Sequence, residues 1–304
     1  GKPVKLIYTR EDDMAAGFFR PASVTKFEAV LDSQGRPTML KAGVGSPSIM
    51  AASGFMKIPD NGVDTFAMEG IADHPYDIAN QRLAYGRKEP GPQVWFWRSV
   101  GHSQNIFFIE SFIDELAAAA RQDPYEYRRA LLGKQPRYKG VLELAAQKAG
   151  WGSPLPAGVF RGIAVAQSFG SYVAEVAEVS IGADGTPKVH RVVAAVDCGM
   201  TVNPLTIERQ IEGAIVYGLS AALYGRISFK DGRVEQGNFN DYPVLRMNEM
   251  PKVEVHIVPS TEKPGGIGEP GTPPIAPAVA NAIFAATAKR LRSLPFDTAQ
   301  LKKA

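Results

Sequence analysis

Pro264-Gly265-Gly266-Ile267-Gly268-Glu269-Pro270 sets one acid inside a loop of glycine and proline. The three glycines let the backbone turn tightly and admit close approach. Pro264 and Pro270 stiffen the way in and the way out. Glu269 is thereby held on a pre-shaped loop, where a carboxylate can serve as a general base. The bland alternative is a surface turn with a solvated glutamate, and the loop alone does not choose between them. Gly266-Ile-Gly268-Glu-Pro-Gly271 also fits the dinucleotide fingerprint G-x-G-x-x-G. That motif needs a strand before it, a helix opening on it and backbone N–H groups facing a pyrophosphate. Here Pro270, Pro273 and Pro274 remove donors and delay a helix, and Glu269 would repel phosphate, so a nicotinamide site is excluded. No G-x-x-x-x-G-K-[ST] is present either.

Working outward from the loop, Val253–Val258 reads as a strand before it and Pro277 to Arg292 as a helix after it. Further upstream, Val159–Ala166, Tyr172–Ile181 and Val189–Val196 read as strands, with an Ala-Asp-Gly turn at 183–185. Pro204 to about Tyr224 is a proline-initiated helix, apolar nearly all round from Ile211 and therefore expected to be buried. Gln210 and Glu212 in its first turns are polar groups that need partners. A hairpin is expected around Lys230-Asp-Gly-Arg233. Ser103 is expected to cap a helix to Gln122, and Asp123-Pro124 to open a second that stops near Gly133. Tyr138 to Ala149 forms a third, stopped by Gly150, and the charges on these helices read as solvated faces. The first third reads as strand and loop: Val4–Thr9, Lys26–Leu31, a return over Pro37–Ala42 and an aromatic strand Gln93–Arg98, with 43–100 mostly long connections.

The chain has 304 residues, 45% hydrophobic and 21% charged, which suits one large domain or two modest ones. The segments suggest a β-rich part followed by helices over 1–135 and an α+β part over 136–304. Net charge is +3 with no basic runs, which argues against a nucleic-acid surface. Cys198 is the sole cysteine, so no internal disulfide or thiolate-rich metal site can form. The histidines at 74, 102, 190 and 256 show no ligand spacing. No apolar run approaches membrane-spanning length. The chain starts at Gly1 and enters structure at once, and so reads as a piece of a longer chain.

Four segments in order resemble one family. They are Trp97-Arg98-Ser-Val-Gly101-His-Ser-Gln104, then Asp197-Cys-Gly199-Met-Thr-Val-Asn203-Pro204 with Gln210-Ile-Glu212-Gly213-Ala214, then Gly266-Ile-Gly268-Glu269-Pro270, then Pro277-Ala-Val-Ala-Asn281-Ala. Together they resemble the molybdenum-binding large subunit of the xanthine oxidase family of molybdenum hydroxylases, in the branch of isoquinoline oxidoreductase beta subunits and bacterial aldehyde dehydrogenases. Ile109–Ala117, Asp123–Arg128, Ser168–Ser171 and Arg290–Pro295 look like that branch too. The resemblance implies an α+β fold of mixed sheets with packed helices. It implies a molybdopterin cytosine dinucleotide that carries the molybdenum, so that no protein side chain ligates the metal. Glu269 would be the base that deprotonates a hydroxyl on a Mo=S centre, and the oxygen would then reach an electron-poor carbon of an aldehyde or N-heteroaromatic substrate. Gln210 would hydrogen-bond the pterin, and Trp97 and Arg98 would lie on the loop facing the metal oxygens. Gly268 would allow close approach beside the base. Helix N-termini near Ser103 and Pro204 could offer N–H groups to cofactor phosphates. Val100 is the one candidate for a substrate-pocket wall, and Trp95 and Trp97 either line a funnel or pack in the core.

The family's Gly-Gly-x-Phe-Gly and Gly-Gln-Gly loops are absent here. The resemblance therefore implies an upstream half of the subunit, on the same or a separate chain. It also implies an iron–sulfur small subunit, and in some members a cytochrome c, because one cysteine cannot hold a cluster. It leaves both the periplasm and the cytoplasm open. Two rival readings are a scaffold subunit without catalysis, against which Glu269, Gln210 and Arg98 argue, and a serine hydrolase using Ser103 beside His102. The hydrolase lacks a G-x-S-x-G elbow. His102 otherwise reads as a loop histidine, and Cys198 as a small buried residue beside a turn.

Overall fold

A computed structural model describes residues 1–89 and 91–302. A four-stranded sheet forms the centre, in the order β4 (Phe160–Ser168), β5 (Ser171–Ile181), β6 (Pro187–Asp197), β9 (Lys252–Ile257). The first three strands are antiparallel neighbours, and β9 joins parallel to β6. Strict alternation gives the sheet two apolar faces. Ile163, Val165, Ala174, Val176, Val193 and Ala195 face a core shared with α6 (Pro136–Ala149). Ala164, Val173, Ala177, Val192, Ala194 and Val196 face α7 (Pro204–Leu223) and α8 (Ile275–Thr287). The expected α+β architecture is thus present, with helices covering both faces of a mixed sheet. Glu175 faces the second core, neither of its carboxyl oxygens hydrogen-bonded among the described residues, and burial pushes its pKa well up.

Gly162 explains how closely α8 seats. A Cβ there would lie 2.2 Å from both Ala278 O and Ala282 N, so the helix backbone rests directly on β4. The free edge of β4 is sealed by side chains. Glu110 of α4 (His102–Ala119) accepts from Val165 N at 3.0 Å, and Asn281 of α8 donates to Ile163 O at 3.1 Å. An uncovered edge would otherwise invite pairing with another strand.

A second sheet, β1 (Val24–Leu31), β2 (Pro37–Ser46) and β3 (Asn80–Arg87), packs on α4 through its inner face. Helices α1 (Arg10–Ala16), α2 (Ile49–Ser53), α3 (Thr65–Met68) and α5 (Pro124–Leu131) and the small β7–β8 hairpin (Phe229–Lys230, Arg233–Val234) complete the chain. The caps are those the residue types demand. Asp123 accepts from Tyr125 N and Glu126 N at 2.9 and 3.0 Å, Asn203 from Thr206 N at 3.2 Å, and Gly150 ends α6 in the left-handed region.

Several expectations are corrected. Val4–Thr9 is exposed and carries no strand. Gln93–Arg98 is not a strand either: it makes one bridge, Phe19 with Val94, while its rings pack against Phe18, Phe55, Phe66 and Tyr217. The region 43–100 contains the end of β2, two short helices and β3, whose mostly exposed residues pair parallel with β2. Helix α4 begins at His102 with Gly101 as cap, and Ser103 lies inside it. Helix α8 stops at Thr287, where Ala288 turns left-handed. Helix α7 is buried on one face only, and Leu205, Gln210, Gly213 and Tyr217 remain exposed on the other. Glu110, Asp114 and Arg128 are not solvated. Arg128 is fully buried, with Nε on Glu110 at 2.9 Å and Nη1 on Asp114 at 3.3 Å, and Arg290 joins Asp114 at 2.6 Å. Burial pulls against the Arg128 charge, but Glu110 and Asp114 outweigh it and hold its pKa above the ordinary arginine range.

Candidate active site

The Glu269 loop bridges β9 and α8 and is stitched down at its start. Gly265 N donates to Cys198 O at 2.9 Å and Gly266 N to Phe169 O at 2.8 Å. A Cβ on Gly265 would meet Ser171 Oγ at 2.6 Å, and one on Gly266 would meet Phe169 Cβ at 2.9 Å. These two positions therefore need glycine for close approach. Among the described residues no neighbour crowds Gly268, where a Cβ would lie 3.9 Å from Gln210 Oε1, so the space beside the base is open. The Cys198 contact is itself braced. Asp197 takes Arg137 Nε and Nη2 at 2.7 Å each and accepts from Gly199 N at 3.0 Å.

The second wall is the turn Trp97-Arg98-Ser99-Val100, closed by Val100 N on Trp97 O at 2.7 Å. Its third position, Ser99, has φ 67, a value that favours glycine, and Val100 follows at φ 46. This turn grips the loop at several points. Ser99 N donates to Glu269 Oε2 at 2.6 Å, and Ser99 Oγ donates to Glu269 O at 2.9 Å. Arg98 Nε donates to Gly268 O at 2.8 Å, and its Nη2 reaches the same carbonyl and Gln210 Oε1, the latter at 3.3 Å. Burial lowers the Arg98 pKa against the pull of Glu269. Glu269, Gly268, Arg98 and Gln210 thus form one hydrogen-bonded cluster, and Trp97 stands beside it, stacked on Tyr217 of α7 at 4.7 Å.

Sequence carries no signal for Ser99, because it acts largely through a backbone N–H that any residue would supply. Glu212 stands apart from the cluster and pairs with Arg209 at 2.6 Å. Cys198 is buried beside the left-handed Gly199, and burial raises its thiol pKa. The Ser103–His102 hydrolase is overturned. His102 is a buried helix residue whose Nε2 lies 3.1 Å from Asp73 and whose Nδ1 lies 3.4 Å from Glu69. Ser103 Oγ instead donates to Val100 O at 2.7 Å.

Two family models, each described as a molybdopterin cofactor-binding domain, match residues 1–132 and 118–251. The chain is 33% identical to a protein named membrane-bound aldehyde dehydrogenase (pyrroloquinoline-quinone) of Gluconacetobacter polyoxogenes, over 99% of this chain and 42% of that one. It is also 33% identical to isoquinoline 1-oxidoreductase subunit beta of Brevundimonas diminuta, over 100% of this chain and 40% of the relative. The chain belongs to the xanthine oxidase family of molybdenum-binding subunits. It spans less than half the length of these relatives. Among solved structures, quinoline 2-oxidoreductase from Pseudomonas putida 86 superposes with a TM-score of 0.77 at 12% identity, covering 93% of this chain and 61% of that one. At that identity the likeness is one of fold.

The donor set of this family member suits a pterin. Gln210 is exposed, its Oε1 is taken by Arg98, and its Nε2 makes no hydrogen bond among the described residues. Arg98 Nη1 is likewise without a partner among them, and Gly213, one turn along α7, has nothing within 4 Å of a built Cβ. Free N–H donors beside a bare helix face match a flat cofactor rich in acceptors. Among the described residues no group of three acidic, histidine or cysteine side chains could hold a metal ion.

Proposed function

We propose that this chain is the base-bearing part of a molybdenum hydroxylase that oxidises an aldehyde or an N-heteroaromatic ring, with Glu269 as the base. The observation that carries this reading is the asymmetric grip on the Glu269 carboxylate. Oε2 is held by Ser99 N, while Oε1 takes no hydrogen bond among the described residues and is the oxygen available to receive a proton. Arg98 of the same turn fixes the carbonyl one residue earlier, so the carboxylate is aimed from two points of that wall. Gln210 Nε2 would bind the pterin, and Arg98 would add positive charge beside it. When bound, the molybdenum cofactor supplies the two-electron oxidation and the activation of water. The names of the two relatives support the substrate classes.

The finer assignments belong to the same proposal. The cofactor is the cytosine dinucleotide form, the upstream half of the subunit completes the pterin pocket, and a small subunit carries the iron–sulfur clusters, in some assemblies with a cytochrome c beyond it. The test is to purify the assembly that contains this chain, quantify molybdenum, and release nucleotide by mild acid. Molybdenum with cytidine monophosphate is expected, and Glu269→Gln should keep both while kcat/KM falls by about 10²–10⁴. An intact assembly lacking molybdenum and pterin, or holding pyrroloquinoline quinone instead, overturns the reading and leaves a scaffold or quinone-dependent subunit in its place.

A further inference from the structure

Among the described residues Arg20 is a cation without a counter-ion. Its one hydrogen bond among them is Nη2 to Ser103 Oγ at 3.1 Å, and no carboxylate there pairs with it. Burial lowers its pKa to about 10, a cost that an exposed arginine would not carry. Its guanidinium lies 4.1 Å from the Trp97 ring centroid, and the other stacking partner of that ring is Tyr217, at 4.7 Å and 27°. Arg20 is delivered by backbone pairing: Phe19 N donates to Gln93 O at 2.9 Å and Trp95 N to Phe19 O at 3.0 Å.

We infer that Arg20 is a positioning residue that clamps Trp97, the first corner of the turn whose next two residues hold Gly268 and Glu269. The closing carbonyl of that turn belongs to Trp97, and Ser99 sits at its third position with a left-handed φ. A turn holding such a conformation needs fixed ends. With Trp97 free to swing, Arg98 and Ser99 would lose their alignment on Gly268 O, Gln210 and the Glu269 carboxylate together. This inference rests on the reading of Glu269 as the base only for its kinetic consequence. The clamp itself is independent of the chemistry.

The experiment compares Arg20→Met and Arg20→Lys in the assembled enzyme by near-ultraviolet circular dichroism, with Trp97→Phe identifying the Trp97 bands, and by kcat and KM. Arg20→Met is expected to lose the Trp97 bands and lower kcat about tenfold with KM little changed, and Arg20→Lys to recover part of both. A folded Arg20→Met protein with intact Trp97 bands overturns the clamp, whatever its activity. If Arg20→Met does not fold, Arg20→Gln removes the cation over Trp97 while keeping a polar side chain toward Ser103 Oγ. Weakened Trp97 bands then support the clamp and unchanged bands overturn it. Should the wild-type assembly contain no molybdenum, the proposed function fails while the dichroism still decides this inference.

Discussion

At the scale of single residues, Ser99 shows how a site can depend on a position whose side chain is only half its role. Its N–H holds the Glu269 carboxylate, its hydroxyl holds the Glu269 carbonyl, and its backbone is in the left-handed region. The two terms can be separated. Ser99→Gly keeps the N–H, relieves about 1 kcal/mol of strain and loses a hydrogen bond of about 1 kcal/mol, so its stability should stay near wild type. Ser99→Ala loses the hydrogen bond without the relief and should unfold about 1 kcal/mol more easily than Ser99→Gly in urea titrations. Equal midpoints for the two variants would mean that the turn is not strained. Glu269, Arg98, Gln210, Gly268 and Trp97 stand out in the sequence because each lies in a segment that resembles the family. Ser99 and Arg20 could not, because their importance lies in partners far along the chain.

At the scale of elements, the contact of α8 with β4 places the Glu269 loop, since the helix starts only a few residues after it. Gly162 permits that contact, and Gly162→Ala would force the helix backbone off the strand. The substitution is expected to cost about 3 kcal/mol and to raise hydrogen exchange at Ile275–Thr287 above that at α6 on the opposite sheet face. Uniform exchange with an unchanged melting temperature would show that α8 is seated by its side chains instead. The same scale explains β3. Its residues are mostly exposed, and a parallel edge strand needs no polar–apolar alternation to pair, so periodicity gave it no signal. The false strand at Gln93–Arg98 is the converse case, where aromatic spacing arose from ring packing without a ladder.

For the molecule as a whole, His102 is a clasp between the start of α4 and the segment carrying Glu69 and Asp73. Burial alone would lower its pKa, but the hydrogen bonds and charges of the two acids push it up to about 9. In the unfolded chain the ring titrates near 6.5. Between these values the folded state holds the extra proton, so stability falls as pH rises. The contribution is fully present below about pH 6.5 and is lost through pH 9. With Asp73 half exposed it amounts to about 2 kcal/mol after solvent screening. Urea unfolding of the wild type at pH 6 and pH 9 should show this loss, and His102→Gln should remove most of the difference. A His102→Gln protein with the wild-type pH dependence would place the titration elsewhere.

The sequence by itself determined the features whose physics spans a few residues. Asp123-Pro124 and Asn203-Pro204 start helices and Gly150 ends one, because caps are satisfied within a single turn. The strands β4 to β6 follow from apolar runs broken by turn residues, and the glycine–proline loop presents Glu269. Only the tertiary structure decided which charges are buried, which face of α7 stays open, how β3 pairs, and that Ser99 and Arg20 serve the site. Each of these depends on what approaches from far along the chain. The desolvation of Arg128, the hydrogen bond from a backbone N–H and the stacking of a guanidinium on Trp97 have no local periodicity to announce them.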